Sequence, residues 1–201
     1  MVQGLTALHL LRESPPQGKS ILINAASGGV GTLLIQLAKR AGARQVIAAA
    51  GTPGKLDLVS SLGADAGIDY SKPDWPARTR KASGDAGVDI VYDMVGGTMT
   101  AAALDALAPG GELVFGAMGR FALDTAHIEA MLAANQSLKG FALLPLLSLE
   151  LLCSDLGELF QLASTSELKV VLGARFPLDR ASDAHRAIEQ RRSSGKVVLV
   201  P

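Results

Sequence analysis

The feature that most constrains this chain is a short apolar run that breaks into glycines and resumes with helical spacing. Ile21-Leu22-Ile23, within Lys19 to Ala25, suit a strand buried on both faces. From Gly29 to Ala41, residues Val30, Leu33, Leu34, Leu37 and Ala38 share one helical face, and Gly42 stands where a C-terminal cap belongs. Between them lies Ala26-Ser27-Gly28-Gly29-Val30-Gly31, which keeps the spacing of a dinucleotide-binding turn with alanine in place of the first glycine. Glycine there lets the chain turn tightly, lets a pyrophosphate approach the backbone and lets the helix pack on the strand. The helix then offers unpaired N–H groups and the positive end of its dipole to the phosphate. A glycine-rich stretch alone can equally be an ordinary loop, so its flanks decide.

Those flanks alternate. Thr6–Glu13 reads as a helix, Gln45–Ala50 as a second strand, Pro53–Leu62 as a helix and Ala66–Tyr70 as a strand. Asp74–Ala82 follows as a helix, Val88–Tyr92 as a strand, Thr98–Leu107 as a helix ended by Pro109-Gly110-Gly111, and Glu112–Phe115 as a strand. Ile128–Ala134 is helical, Ser137–Leu143 strand-like and Ser148–Ala163 a long apolar helix; Val170–Leu172, a helix over Arg180–Arg191 and a strand at Lys196–Val200 complete the chain. The pattern predicts an α/β fold of Rossmann type: a doubly wound parallel sheet with helices on both faces.

Charge narrows the partners. Nineteen basic and nineteen acidic residues cancel, so there is no field to hold nucleic acid or an anionic membrane. The longest apolar stretch, Phe141–Cys153, is broken by Pro145, Ser148 and Glu150, short of a membrane span. Met1–Ala7 lacks the basic and apolar regions of a secretory signal, which makes the cytoplasm the default location. The single cysteine, Cys153, is expected as a buried small hydrophobe on its helix. His9, His127 and His185 are scattered without metal-ligand spacing, and no metal site is expected.

The end of the second strand selects the dinucleotide. An acid there would bond the ribose 2′-hydroxyl of NAD; here Ala50-Gly51-Thr52-Pro53-Gly54-Lys55 contains none. Thr52 offers a hydroxyl and Lys55 a charge, so NADP(H) is favoured, although Thr52 also suits a helix N-cap and Lys55 a solvated surface. The missing acid also argues against a methyltransferase. A short-chain dehydrogenase would carry Tyr-x-x-x-Lys, but Asp74 follows Tyr70 and Gly96 follows Tyr92 at that spacing. Asp93 is placed to cap the turn after its strand.

Gly4-Leu5-Thr6-Ala7, Ala25 to Gly31, Leu62-Gly63-Ala64-Asp65, Asp93-Met94-Val95-Gly96-Gly97, Leu107 to Gly111 and Gly195 to Pro201 occur in the order seen in one group of enzymes. The chain resembles the cofactor-binding part of zinc-free medium-chain dehydrogenase/reductases of the quinone oxidoreductase and enoyl reductase type. The resemblance implies that Ser27, Gly28, Gly29, Val30 and Gly31 hold the pyrophosphate. It places Thr52, Lys55, Tyr70 and Arg191 around the 2′-phosphate, lines the path to the nicotinamide with Val95, Phe115, Gly116 and Met118, and sets Thr6 near its end. It further implies residues 1–172 as an NADP(H)-binding domain, and residues 173–201 as a tail that returns to a GroES-like substrate domain expected ahead of Gly4. Without that domain the tail is expected to present unpaired edges. The implied reaction is hydride transfer from NADPH to a small electrophile, a quinone or an α,β-unsaturated carbonyl or enoyl thioester; no catalytic residue is assignable. The alternatives are a binding module without turnover and an enoyl reductase fragment of a polyketide synthase. Met94 departs from the small hydroxyl residue common in the group. The apolar segment 137–147 is expected at the sheet edge, where it could pair a homodimer.

Overall fold

The computed structural model describes residues 1–201. Helix α1 (Val2–Glu13) leads into strand β1 (Ser20–Ile23), and the glycine turn opens helix α2 (Gly31–Arg40). Then follow β2 (Gln45–Ala50), α3 (Pro53–Ser61), β3 (Ala66–Asp69), α4 (Trp75–Ala82), β4 (Val88–Asp93), α5 (Thr98–Ala106), β5 (Leu107–Phe115), α6 (Thr125–Ala133) and β6 (Ser137–Gly140). Helix α7 (Leu149–Ser164), strand β7 (Leu172–Pro177), helix α8 (Ala181–Glu189) and strand β8 (Lys196–Val200) complete the chain.

Six strands form one parallel sheet in the order β3-β2-β1-β4-β5-β6. The order reverses between β1 and β4, and in such sheets the crevice beyond the carboxyl ends of the reversing strands is where a ligand fits. The two faces divide the apolar residues as a doubly wound sheet requires. Ile21, Ile23, Val46, Ala48, Ile90 and Tyr92 join α1, α2 and α7 on one side. Leu22, Ile47, Ala49, Val91 and Leu113 join Trp75, Ala103, Leu104 and Met131 on the other. Successive strand residues point to opposite faces, so the continuous run in β1 and β2 is explained by burial on both sides.

Several local expectations change. Strand β5 begins at Leu107, because Val88 pairs with Leu107 before a register shift that resumes at Ile90 with Glu112. Pro109-Gly110-Gly111 therefore lies inside an irregular strand instead of ending a helix. Strand β6 does lie at the sheet edge, but it stops at Gly140, and Pro145 then sits in a 3-10 turn over Leu144–Leu146. Of the apolar residues expected in that edge strand, only Leu138 is in it. The tail strands β7 and β8 pair with each other, parallel, in a separate two-stranded sheet. Cys153 is exposed, not buried: α7 buries Asp155, Leu159 and Leu162, spaced four and three apart, and a residue two places before Asp155 faces away.

The long α1 and α7 helices are joined by a buried polar cluster. His9 Nε2 lies 2.7 Å from Asp155 Oδ2, and Arg12 Nη1 donates to Asp155 Oδ1 at 2.7 Å. Burial alone would raise the Asp155 carboxyl, but the hydrogen bonds from Arg12 and His9 and their charges hold it below the usual range.

Candidate dinucleotide-binding site

The turn between β1 and α2 makes its tight bend at Ala25, whose φ of 49° is left-handed, while Ala26 is fully buried and bonds through its N–H to the Ala49 carbonyl at 3.0 Å. Alanine at the first glycine position is thus accommodated because the left-handed step falls one residue earlier. Gly31 has no such freedom. A Cβ there would stand 2.5 Å from the Ala26 carbonyl oxygen and 2.6 Å from its Cα, so glycine is what lets α2 sit on the strand. The N–H groups of Ser27, Gly29 and Val30 donate to no backbone acceptor, and Val30 enters the helix without a side-chain cap. Free N–H groups at a helix start form a site for an anion.

Two clefts meet at this turn and share Ala25 and Gly28. The first, of about 150 Å³, is lined by Ser27, Lys55, Tyr70, Val95, Met99, Ile188, Arg191 and Ser193 among others. The first turn of α3 brings Lys55 there, the residue after β3 brings Tyr70, and the segment after α8 brings Arg191. Lys55 Nζ donates to the Arg191 carbonyl at 2.6 Å. Burial and then the neighbouring Arg191 guanidinium lower the Lys55 ammonium below its ordinary pKa. Neither cation has a carboxylate in ion-pair range. Two adjacent cations without a counterion form an anion site. The Tyr70 ring packs on Gly51, where a Cβ would come 2.9 Å from it, so the glycine at the end of β2 is needed as well.

The second cleft runs past Gly29, Val30 and Gly31 to Tyr92 and Met94 at the end of β4 and to Gln3 of α1. The Gln3 amide lies over Gly29, within 2.5 Å of where a Cβ would stand. Asp93 closes the turn after β4 as expected: its carboxylate accepts from the N–H of Val95 at 2.9 Å and of Gly96 at 3.2 Å and from the Thr100 hydroxyl.

Of the residues the sequence proposed, Ser27 to Gly31, Lys55, Tyr70, Val95 and Arg191 line these two clefts. The others stand apart. Thr6 is buried in α1 with its hydroxyl donating to the Val2 carbonyl. Thr52 occupies the N-cap position of α3 without using its hydroxyl as a cap. Phe115 packs edge-on against Phe121 with ring centroids 5.3 Å apart, the Met94 sulfur crowds Gly116, and Met118 is 88% exposed. The sequence reading missed Met99, Ile188 and Ser193 in the first cleft and Gln3 and Asn24 in the second. Ile188 and Ser193 had no local signal, since only the tertiary return of the tail brings them to the turn. Asn24 does carry a local signal, as a polar residue closing an apolar strand.

A parallel sheet with a glycine turn at its reversal point, free N–H groups and an adjoining pair of cations is a Rossmann-type fold with an anion-accepting turn at its carboxyl edge. The zinc-binding dehydrogenase family model matches residues 62–199. The chain belongs to that family, within the zinc-free medium-chain dehydrogenase/reductase superfamily. It is 34% identical over 211 residues to a quinone oxidoreductase of Pseudomonas aeruginosa, covering 100% of this chain and 63% of that protein. It is 31% identical to a 2-haloacrylate reductase of a Burkholderia species, covering 100% of this chain and 62% of the relative. The crystal structure of Escherichia coli quinone oxidoreductase complexed with NADPH superimposes with a TM-score of 0.90 at 29% identity, over 100% of this chain and 63% of that one. The chain thus spans less than two thirds of these relatives. No three His, Cys, Asp or Glu side chains converge as metal ligands, and no helix is long and apolar enough to cross a membrane.

Proposed function

We propose that this chain binds NADP(H) and serves an NADPH-dependent oxidoreductase that reduces a quinone or an α,β-unsaturated carbonyl compound. The observation that carries the reading is the cleft where the glycine turn meets Lys55 and Arg191 with no carboxylate in ion-pair range of either. In this reading residues 1–172 form the cofactor domain and 173–201 its tail. Ser27 to Gly31 take the pyrophosphate on free N–H groups, and Lys55, Arg191 and the Tyr70 hydroxyl take the 2′-phosphate, with Thr52 at the rim. Tyr70, Met99 and Ile188 provide apolar surface for the adenine. Val95, Gly116 and the Phe115–Met118 turn border the path toward the nicotinamide, and Thr6 orders the start of α1 near its end. Bound NADPH supplies the hydride; the residues here bind it, orient it and keep water from one face. Named relatives that are quinone oxidoreductases or a 2-haloacrylate reductase support the substrate class. A homodimer through β6 remains part of the proposal, narrowed to the four residues Ser137–Gly140.

A second reading, a binding module without turnover of its own, is favoured by the titratable groups of the clefts. Tyr92 is pushed above its ordinary pKa by burial and then by Glu112, and its hydroxyl is committed to the Ser14 carbonyl. Lys55 and Arg191 are placed for an anion, so none of these groups is set to exchange a proton with a substrate. Calorimetric titration with NADPH and NADH, followed by optical monitoring of NADPH consumption with a quinone, tests both readings. Tight NADPH binding with turnover supports the enzyme; binding without turnover supports the module; equal affinity for the two cofactors refutes the NADP(H) assignment.

A further inference from the structure

Asn24 follows directly on the last residue of β1, at the point where the strand order reverses, and its backbone N–H bonds the Tyr92 carbonyl of β4 at 3.1 Å. Its side chain is 2% exposed, and neither the amide nitrogen nor the amide oxygen has a hydrogen-bond partner. An amide buried without partners destabilises a fold, and here the next residue, Ala25, is also held in the left-handed region. Both unfavourable features fall on one turn, and Asn24 lines the cleft that runs from Gly28–Gly31 past Met94. Buried polar groups left unpaired at a cleft point to a ligand that completes them.

We propose that Asn24 is a positioning residue for the bound dinucleotide and that its amide takes the hydroxyls of the nicotinamide ribose. The inference rests on the NADP(H) reading above. The choice of group follows from two facts. Lys55, Tyr70 and Arg191 lie in the other cleft, so a dinucleotide with its 2′-phosphate there crosses the turn and brings its second half past Asn24. A phosphate oxygen only accepts and would satisfy the amide nitrogen alone, whereas a ribose diol accepts with one hydroxyl and donates with the other, matching both amide atoms. The amide is closed to water in this structure; Gln3 and Met94, long flexible side chains lining the same cleft, can give way to a ligand.

Binding of NADPH and of 2′-phospho-ADP, which keeps the 2′-phosphate and the diphosphate and lacks the second ribose, is titrated on the wild-type chain and on Asn24→Leu and Asn24→Ala, with thermal melts of each ligand-free protein. The expected result is a loss of NADPH affinity of at least tenfold in both variants, with 2′-phospho-ADP unchanged within twofold. The Asn24→Leu melting temperature is expected to hold or to rise by about 2–4 °C, as removal of an unpaired buried amide predicts. If Asn24→Leu does not fold, Asn24→Ala decides. An unchanged NADPH affinity in a folded variant overturns the inference, as does an equal loss for both ligands. A wild-type chain that binds neither ligand overturns the cofactor reading itself, and this inference with it.

Discussion

On the proposed NADP(H) reading, replacing Lys55 with alanine should separate the two dinucleotides. Lys55 Nζ already donates to the Arg191 carbonyl at 2.6 Å, beside a second cation and with no carboxylate opposite. A 2′-phosphate entering there gains a charge-assisted hydrogen bond from Lys55, which ordinarily contributes about 1.5–3 kcal/mol. The ammonium is partly open to solvent and Arg191 remains to take some of the charge, so the lower half applies: about 1.5–2 kcal/mol, or roughly ten- to thirtyfold in Kd. NADH has no phosphate at that position and its affinity should stay within twofold. Calorimetry at low and at physiological salt reads both numbers, and the NADPH loss should shrink as salt screens the pair. Because the Lys55 pKa is lowered in the free protein, the NADPH advantage should be full at neutral pH and decline as the pH rises through that lowered value, where the ammonium deprotonates. An equal loss for NADPH and NADH, or none for either, would show that Lys55 does not meet the 2′-phosphate.

Gly31→Ala should destabilise the chain by about 1–3 kcal/mol and abolish dinucleotide binding, because its Cβ would meet the Ala26 backbone 2.5 Å away and push α2 off the turn; chemical denaturation and a titration read the two effects. Asp155→Ala should cost about 1–3 kcal/mol by leaving the buried His9 ring without its carboxylate partner, while the exposed Arg12 keeps only Glu158. The milder Asp155→Asn gives the pH dependence. The wild-type carboxyl is held below its usual range, so its stabilisation should be full above pH about 4 and fade as the pH falls through the depressed value, closing the gap to the variant. A gap that widens on acidification would refute the assignment. Cys153 should react with a thiol reagent in the native protein at the rate of an exposed thiol, and complete protection would contradict its place on the outer face of α7.

Much of the architecture was legible because the sheet is buried on both faces. A short apolar run such as Val46–Ala50 suits a strand covered on both faces, and the expected strand and β2 coincide. Legibility failed where pairing overrides local signals. Pro109-Gly110-Gly111 reads as a stop, yet the register against β4 draws Leu107–Gly111 into β5, with Gly110 absorbing a φ of 73°. Segment 137–147 reads as one apolar strand, yet Pro145 and the end of pairing at Phe115–Gly140 cut it to four residues. At the site, the glycine turn and the acid-free end of β2 were local and readable. Met99 and the tail residues Ile188 and Ser193 were not, since their approach depends on contacts made far along the chain. Cys153 was misjudged because composition marks a helix as apolar, while only packing tells which of its faces is inside.

Gly195 bonds the Ser27 carbonyl at 2.8 Å, and Gly28 and Gly195 pair as an isolated parallel bridge. The candidate cleft is therefore a seam between the turn after β1 and the segment after α8, far apart along the chain. During synthesis, β1 to β6 emerge in order and can assemble the sheet with its glycine turn before the ribosome has made residues 188–196. On the proposed NADP(H) reading, selectivity for the phosphorylated cofactor would then arrive last, when Arg191 reaches Lys55. On that reading, a nascent or clipped chain ending before α8 would keep the turn placed for a pyrophosphate while losing Arg191, one of the two cations placed for the 2′-phosphate.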